Sequence, residues 1–192
     1  ISGEHLVSED GLFQFGHSKD NPNLAQVKLM MSSLDPLGMP VATSVVSGEQ
    51  ADDGLYIPAF EQSRGSLASA DLMWVGDCKM AAIGTRSHIH HHQHYYLVPL
   101  ARTGQVPELL AQWLSEMRQT EAELQQVKTQ RYDGSEGVRL SGYRIVRVVE
   151  AETPQGYPVC WHEQVFLVHS LTHEHRQRQG LEKRMATATE KL

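Results

Sequence analysis

Asp77, the acid that ends the apolar run ADLMWVGD, is the residue of this sequence best placed for chemistry. An unbroken apolar run of this kind predicts a strand buried on both faces, with Asp77 at its carboxyl end. Open α/β sheets bind their ligands at the carboxyl ends of the strands, so a carboxylate there is positioned for a metal ion or a substrate. Aspartate is also common as a helix N-cap or turn former, and the residues alone leave both interpretations open.

A run of histidines forms the second group that could do chemistry. Imidazoles at close spacing can chelate zinc, nickel or copper. A zinc site usually takes its ligands from more than one segment, so this single run favours surface histidines without a bound metal. Cys78 has no base near it in a recognisable pattern, and we expect it to be a small buried residue. The histidines of the run are His88, His90, His91, His92 and His94.

The elements that must position Asp77 alternate between strand and helix. Two apolar, partly β-branched runs, LAQVKLMMSSLD and MPVATSVVSGE, meet at an Asp-Pro-Leu-Gly turn and predict a β-hairpin. Asp52 or Asp53 can then cap a helix. The strand that ends at Asp77, a short helix from about Lys79 and a further strand, YYLVPLA, follow. This order predicts an α/β fold with a mixed sheet.

The second half of the chain predicts a helix, a hairpin and another helix. VPELLAQWLSEM has apolar residues at helical spacing, and the helix can run on through EAELQQV. The β-rich runs YRIVRVVEAE and YPVCWHEQVFLVHS are separated by TPQG, which predicts a second hairpin. The tail predicts an amphipathic helix whose apolar stripe consists of Leu181, Met185, Ala188 and Leu192.

Composition excludes several classes of protein. With 192 residues, 40% of them hydrophobic, the chain can bury the core of one elaborated domain. It has neither a membrane-spanning run nor a signal peptide, so a cytoplasmic location is expected. Cys78 and Cys160 lie far apart and predict neither a disulfide nor a thiolate zinc site. The net charge of -6 argues against this segment binding DNA on its own.

An ordered series of motifs in the first half resembles a known family. FGHSKDNPNLAQVKLMM, then LDPLGMPVATSVVSGEQADD, then WVGDCKM resemble the insertion-sequence transposases of the DDE superfamily, in the insertion-sequence-four-like group. His17 stands where the family usually has an aromatic residue. The second half matches loosely, although WHEQVFLVHS followed by LEKRM resembles the end of the family's β-rich insertion.

The resemblance implies a ribonuclease-H-like α/β fold: a mixed sheet with flanking helices, interrupted by an α+β insertion. The core would span residues 1 to 102, the insertion residues 103 to 175, and the start of a returning helix residues 176 to 192. In this family three carboxylates hold two divalent ions, Mg²⁺ or Mn²⁺, and Asp77 would be the second carboxylate.

The other two carboxylates are expected outside the chain. The family's first Asp would stand a few residues before Ile1, and its final Glu would follow Leu192. Glu182 and Glu190 lack the setting that the family gives its final Glu. The chain begins without Met and ends inside a helical pattern, so we expect an internal piece of a transposase, inactive by itself.

The implied partner is DNA, both the ends of the mobile element and its target. Lys19 is a candidate phosphate contact, and Arg144 and Arg147 are the other residues assigned to DNA binding. The complete protein is expected to act as a homodimer on DNA, without a membrane. Two alternatives stay open: a histidine-rich metal-binding or DNA-binding module without catalysis, and a degenerate remnant of a mobile element.

Overall fold

The computed structural model describes residues 2–3, 6–16, 21–120, 124–130 and 136–189. The chain divides into two compact units. The first consists of Ile1–Ala101 with Glu150–Cys160, and the second of Arg102–Val149 with Trp161–Leu192. Lys19, the predicted phosphate contact, lies outside the described residues, so its role stays a prediction.

An antiparallel sheet opens the first unit. Its strands are β1 (Ser2–Gly3), β2 (Ala25–Leu34) and β3 (Met39–Ser47), in the order β1-β2-β3. β2 pairs with β3 from Val27↔Ser47 to Leu34↔Met39, which confirms the predicted hairpin. Gly38 closes the turn with a φ of 63°, a left-handed conformation that glycine adopts without steric cost.

A helix and a parallel pair of strands complete this unit. A 3₁₀ turn (Asp52–Leu55) leads into α1 (Tyr56–Leu67), and β4 (Met73–Val75), α2 (Ile83–His91) and β5 (Tyr95–Leu97) follow. β4 and β5 pair in parallel, with Met73 opposite Tyr95. The expected strand-helix-strand order is therefore present. The core is formed by Phe60, Met80 and Ile89, against which Tyr56, Trp74, Tyr96 and Val98 pack.

Two details of this region differ from the prediction. β4 is not buried on both faces, because Met73 is 62% exposed and Val75 is 71% exposed, whereas Trp74 faces the core. In the described part of the chain β4 is covered on its Trp74 face alone. The helix after Asp77 begins at Ile83 rather than near Lys79, because residues 77 to 82 form consecutive backbone turns instead.

The second unit is built from α3 (Val106–Gln119), β6 (Gln125–Gln130), β7 (Glu136–Glu152), β8 (Pro158–Ser170) and α4 (Leu171–Thr189). The three strands form one sheet in the order β6-β7-β8. β7 and β8 flank the TPQG turn, where Gly156 has a φ of 84°, so the second predicted hairpin is confirmed.

The predicted extension of α3 through EAELQQV is wrong. The helix ends at Gln119, and residues from Gln125 onward form β6, which pairs antiparallel with β7 from Gln125↔Gly142. α4 has the predicted helical form, but the described members of its apolar stripe are exposed, with Leu181 at 51% and Met185 at 60%. Leu192, the last residue of the predicted stripe, lies outside the described residues.

Candidate functional site

Asp77 lies directly after β4, at the carboxyl edge of the parallel pair, with its side chain exposed. Its Oδ1 accepts hydrogen bonds from the Tyr56 hydroxyl at 2.6 Å and from the Lys79 backbone N–H at 2.8 Å. The Met80 N–H donates to the Asp77 carbonyl at 3.1 Å and closes the turn. Asp77 thus forms a turn and also presents a carboxylate at the strand end, so the two interpretations of this residue are compatible.

The contact with Tyr56 favours the ionised form of Asp77. The hydrogen bond from Tyr56 outweighs the opposing effect of burial and, with the backbone N–H groups of Lys79 and Met80, lowers the pKa of Asp77. Burial, and then the hydrogen bond to Asp77, raise the pKa of the Tyr56 phenol well above its usual range. Tyr56 therefore stays a neutral donor, and the carboxylate keeps its full negative charge for a cation.

A second group of chemically active side chains lies between α1 and α2. The Glu61 Oε1 atom is 2.7 Å from His88 Nε2 and 3.3 Å from His92 Nε2. The donor atoms of these three residues lie within 4.8 Å of one another. Two imidazoles and a carboxylate are ligands that zinc takes in proteins. Among the residues that the structure describes, this is the group of side chains arranged to hold a metal ion.

The expectation that the histidine run lies on the surface is wrong for two of its members. His88 is 4% exposed and His94 is 5% exposed. The edges of both rings meet Phe60, with ring centroids 5.6 Å and 5.5 Å away. His94 Nδ1 accepts a hydrogen bond from the Leu72 N–H at 3.2 Å. These imidazoles are buried because Phe60 and their hydrogen-bond partners replace water around them.

The sequence contained one overlooked signal for this cluster. His88 and His92 are four residues apart, a spacing that places two side chains on one face of a helix. Glu61 comes 27 residues earlier than His88, and no local pattern connects them. His91, between the two histidines, instead stacks on Tyr157 with ring centroids 5.1 Å apart.

The expected burial of Cys78 is also wrong, because this thiol is exposed.

The charges of the cluster are set by its surroundings. Burial raises the pKa of Glu61, but hydrogen bonds from Arg64 and His88 outweigh that effect, and the net pKa is lowered. Burial lowers the pKa of His92 and of His94. Near neutral pH the cluster therefore contains an ionised carboxylate beside a neutral His92 imidazole, the protonation states in which both groups bind metals.

The two predicted DNA-binding arginines lie in the second unit, in different environments. Arg144 is exposed on β7. The guanidinium of Arg147 lies 5.3 Å from the centre of the Trp113 ring, and its Nε donates to Glu163 Oε2 at 2.7 Å. The Glu163 side chain is only 8% exposed. Arg147 thus contacts two buried residues, whereas Arg144 is presented to solvent; whether either binds DNA stays a prediction.

Arg147→Ala should destabilise the protein far more than Arg144→Ala. Removing Arg147 takes the guanidinium from the buried Glu163 carboxylate, at a cost of roughly 2 kcal/mol in the free energy of unfolding. Removing the exposed Arg144 should change it by less than about 0.5 kcal/mol. Urea denaturation of both variants measures the difference. Equal midpoints would show that the Arg147–Glu163 pair contributes nothing to stability.

These observations define a mixed α/β protein with four α-helices and small sheets in the part of the chain that the structure describes. None of those helices is both long and apolar enough to span a membrane. No protein-family model, no curated protein and no solved structure matches the chain.

Proposed function

We propose that this chain is part of the catalytic core of a DDE transposase, in which Asp77 binds one of the divalent ions needed for DNA cleavage and strand transfer. The observation that supports this most directly is the position of Asp77. It is an exposed, ionised carboxylate immediately after β4, at the edge where open α/β sheets bind ligands. The ordered motifs of the first half supply the resemblance to the family.

The finer fold that we propose is a ribonuclease-H-like core with an α+β insertion. The order of elements supports it: an antiparallel hairpin, then α1, then β4, α2 and β5 with the two short strands in parallel. The helix α3 and the sheet β6-β7-β8 would belong to the insertion. On this proposal the early elements position Asp77, and the later ones contact DNA.

The ligand chemistry of Asp77 suits Mg²⁺ or Mn²⁺, which prefer hard oxygen donors. A two-metal site supplies charge stabilisation to both the attacking and the leaving oxygen of a phosphoryl displacement. Asp77 would supply one of the carboxylate ligands of such a site, and the Tyr56 hydroxyl would orient that carboxylate and favour its ionised form. The resemblance implies that the remaining carboxylates lie outside this sequence, so on this proposal the 192-residue chain by itself does not cleave DNA.

The proposed partner is DNA, bound by a cytoplasmic homodimer of the complete protein. The net charge of -6 means that local basic groups must provide the phosphate contacts. Arg144 is exposed, whereas Arg147 packs on the Trp113 ring. The guanidinium of Arg144 is therefore the better placed of the two to contact a phosphate.

The test uses the protein from the complete coding frame with the DNA that flanks its gene. With Mg²⁺ present, we expect cleavage at the junctions of the element and joining of the freed 3′ ends to a target plasmid, both abolished by EDTA. A DNA-binding module without catalysis would shift the flanking DNA in a gel and leave its strands intact. A remnant would do neither, and either of these results would overturn the proposal.

A further inference from the structure

Two helices of the first unit are joined by a group of side chains of the types that bind metals. The proposed transposition does not use this group. Glu61 lies on α1, whereas His88 lies on α2 and His92 directly follows it. We propose that Glu61, His88 and His92 together bind one zinc ion, which cross-links α1 to the end of α2. The inference does not rest on Asp77, so it can be true or false whatever the outcome for transposition.

Two of the three distances between the donor atoms are close to those of a zinc site, and all three atoms lie within 4.8 Å of one another. With zinc about 2.0–2.2 Å from each nitrogen or oxygen, the donors of a tetrahedral site lie roughly 3.3 Å apart. Glu61 Oε1 and His92 Nε2 are already separated by 3.3 Å. The 2.7 Å contact between Glu61 and His88 has only to open slightly. Side-chain rotations that widen this contact and bring the two imidazole nitrogens to the same separation would convert the hydrogen-bonded group into a coordination site.

Hydrogen-bond partners orient two of the three proposed ligands, His88 and Glu61. The Gln155 Oε1 atom lies 3.1 Å from His88 Nδ1. In the zinc-bound form this oxygen would accept a hydrogen bond from Nδ1–H, while the Nε2 atom that now donates to Glu61 would carry the lone pair that binds the metal. Arg64 donates to Glu61 Oε2 at 2.6 Å and leaves Oε1 facing the imidazoles. Metal-binding histidines commonly have such a partner on the second nitrogen, because it fixes the tautomer and the ring orientation.

Packing holds the imidazoles in place before any metal binds. The Phe60 ring lies 5.6 Å from the His88 ring and 5.9 Å from the His92 ring, measured between centroids. The two imidazoles are themselves 4.7 Å apart. Forming a metal site normally costs conformational entropy, because the ligand side chains must be ordered. Here packing in the folded protein already orders them.

The donor set selects the class of metal. Two imidazole nitrogens with one carboxylate suit zinc and related transition metals, whereas Mg²⁺ and Ca²⁺ require mostly oxygen ligands. Three protein ligands leave a fourth position for water. The nearby guanidinium of Arg64 opposes a divalent cation, but its charge is balanced by the carboxylate that it contacts. We therefore expect a site for Zn²⁺ that differs from any Mg²⁺ site at Asp77.

The test is a titration of the 192-residue chain with Zn²⁺, using protein without a polyhistidine tag and freed of metal by a chelator. We expect one zinc ion per chain by calorimetry and a rise in melting temperature that EDTA reverses. Co²⁺, whose visible spectrum reports its coordination geometry, should give a four-coordinate spectrum. No binding by the wild-type chain would overturn the inference.

Variants identify the ligands. His92→Gln and Glu61→Gln change partly exposed side chains and should weaken zinc binding at least about 100-fold, because loss of an orienting contact alone costs about 10–100-fold. Gln155→Ala should weaken it about tenfold. His162→Gln, an exposed histidine of β8, is the matched control and should bind like the wild type. Unchanged affinity in both ligand variants, with folding verified by circular dichroism, would assign the zinc to other histidines and overturn the site.

Discussion

Asp77→Ala should abolish strand transfer by the complete protein while leaving its fold intact. Loss of a metal ligand removes several kcal/mol of charge stabilisation from the transition state, which corresponds to a rate at least about 10³-fold lower. The fold should tolerate the change because the Asp77 side chain is exposed and its hydrogen bonds lie at the surface. Product formation in the presence of Mg²⁺ is the measurement, with circular dichroism as the check on folding.

Further variants separate metal binding from turn formation. Asp77→Asn keeps an oxygen that can accept the Tyr56 and Lys79 hydrogen bonds but loses the charge, so it should be as inactive as Asp77→Ala. Tyr56→Phe leaves the charge of Asp77 in place and should lower the rate of strand transfer on the order of tenfold. The reason is that a hydrogen bond to a charged group contributes about 1.5 kcal/mol. The control Asp53→Ala changes an exposed acid of the 3₁₀ turn and should stay active. Activity retained in Asp77→Asn would show that Asp77 has only the turn-forming role.

Phe60→Ala should cost about 3–5 kcal/mol in the free energy of unfolding, because truncating a buried aromatic removes its transfer free energy and leaves a cavity. Phe60 is 2% exposed and packs against Trp74 with ring centroids 4.8 Å apart. It also contacts His88 and His92, so the same variant should lose zinc affinity even at temperatures where it remains folded. Chemical denaturation measures the first effect, and the zinc titration measures the second.

Phe15 provides the control for this prediction. It is the same residue type in the same unit, but it is 57% exposed, so Phe15→Ala should change stability by about 0.5 kcal/mol or less. If Phe60→Ala and Phe15→Ala unfolded at the same denaturant concentration, the assignment of Phe60 to the core of the first unit would be wrong.

Local chemistry accounts for the elements that the sequence predicted well. The Asp-Pro-Leu-Gly and TPQG segments specify turns through residues that favour turn conformations, with Gly38 and Gly156 at positive φ. The apolar spacing of VPELLAQWLSEM predicts α3, and Trp113 is the buried residue on its apolar face. Each of these features depends on residues only a few positions apart, so the sequence contains the whole signal.

Pairing over longer distances overrode local preference in β6. EAELQQV is rich in good helix formers, yet Gln125–Gln130 pairs with β7, since backbone hydrogen bonding to a neighbouring strand can outweigh a weak intrinsic propensity. The burial of β4 was mispredicted for a related reason. An apolar run shows that a strand can be covered on both faces, but only the neighbouring elements decide whether it is.

The sequence by itself determined that an acid follows an apolar strand at Asp77 and that a helix and a second strand come after it. Only the tertiary structure placed the Tyr56 hydroxyl, 21 residues earlier, on that carboxylate and so lowered the pKa of Asp77. It likewise brought Glu61 to His88 and His92, so that two members of the histidine run form, with a carboxylate from α1, the group that we propose binds zinc. The reason is physical. Turn type and the periodicity of helices and strands depend on neighbours in sequence, whereas the pKa and coordination of a side chain depend on neighbours in space, which the packing of α1 against α2 brings together.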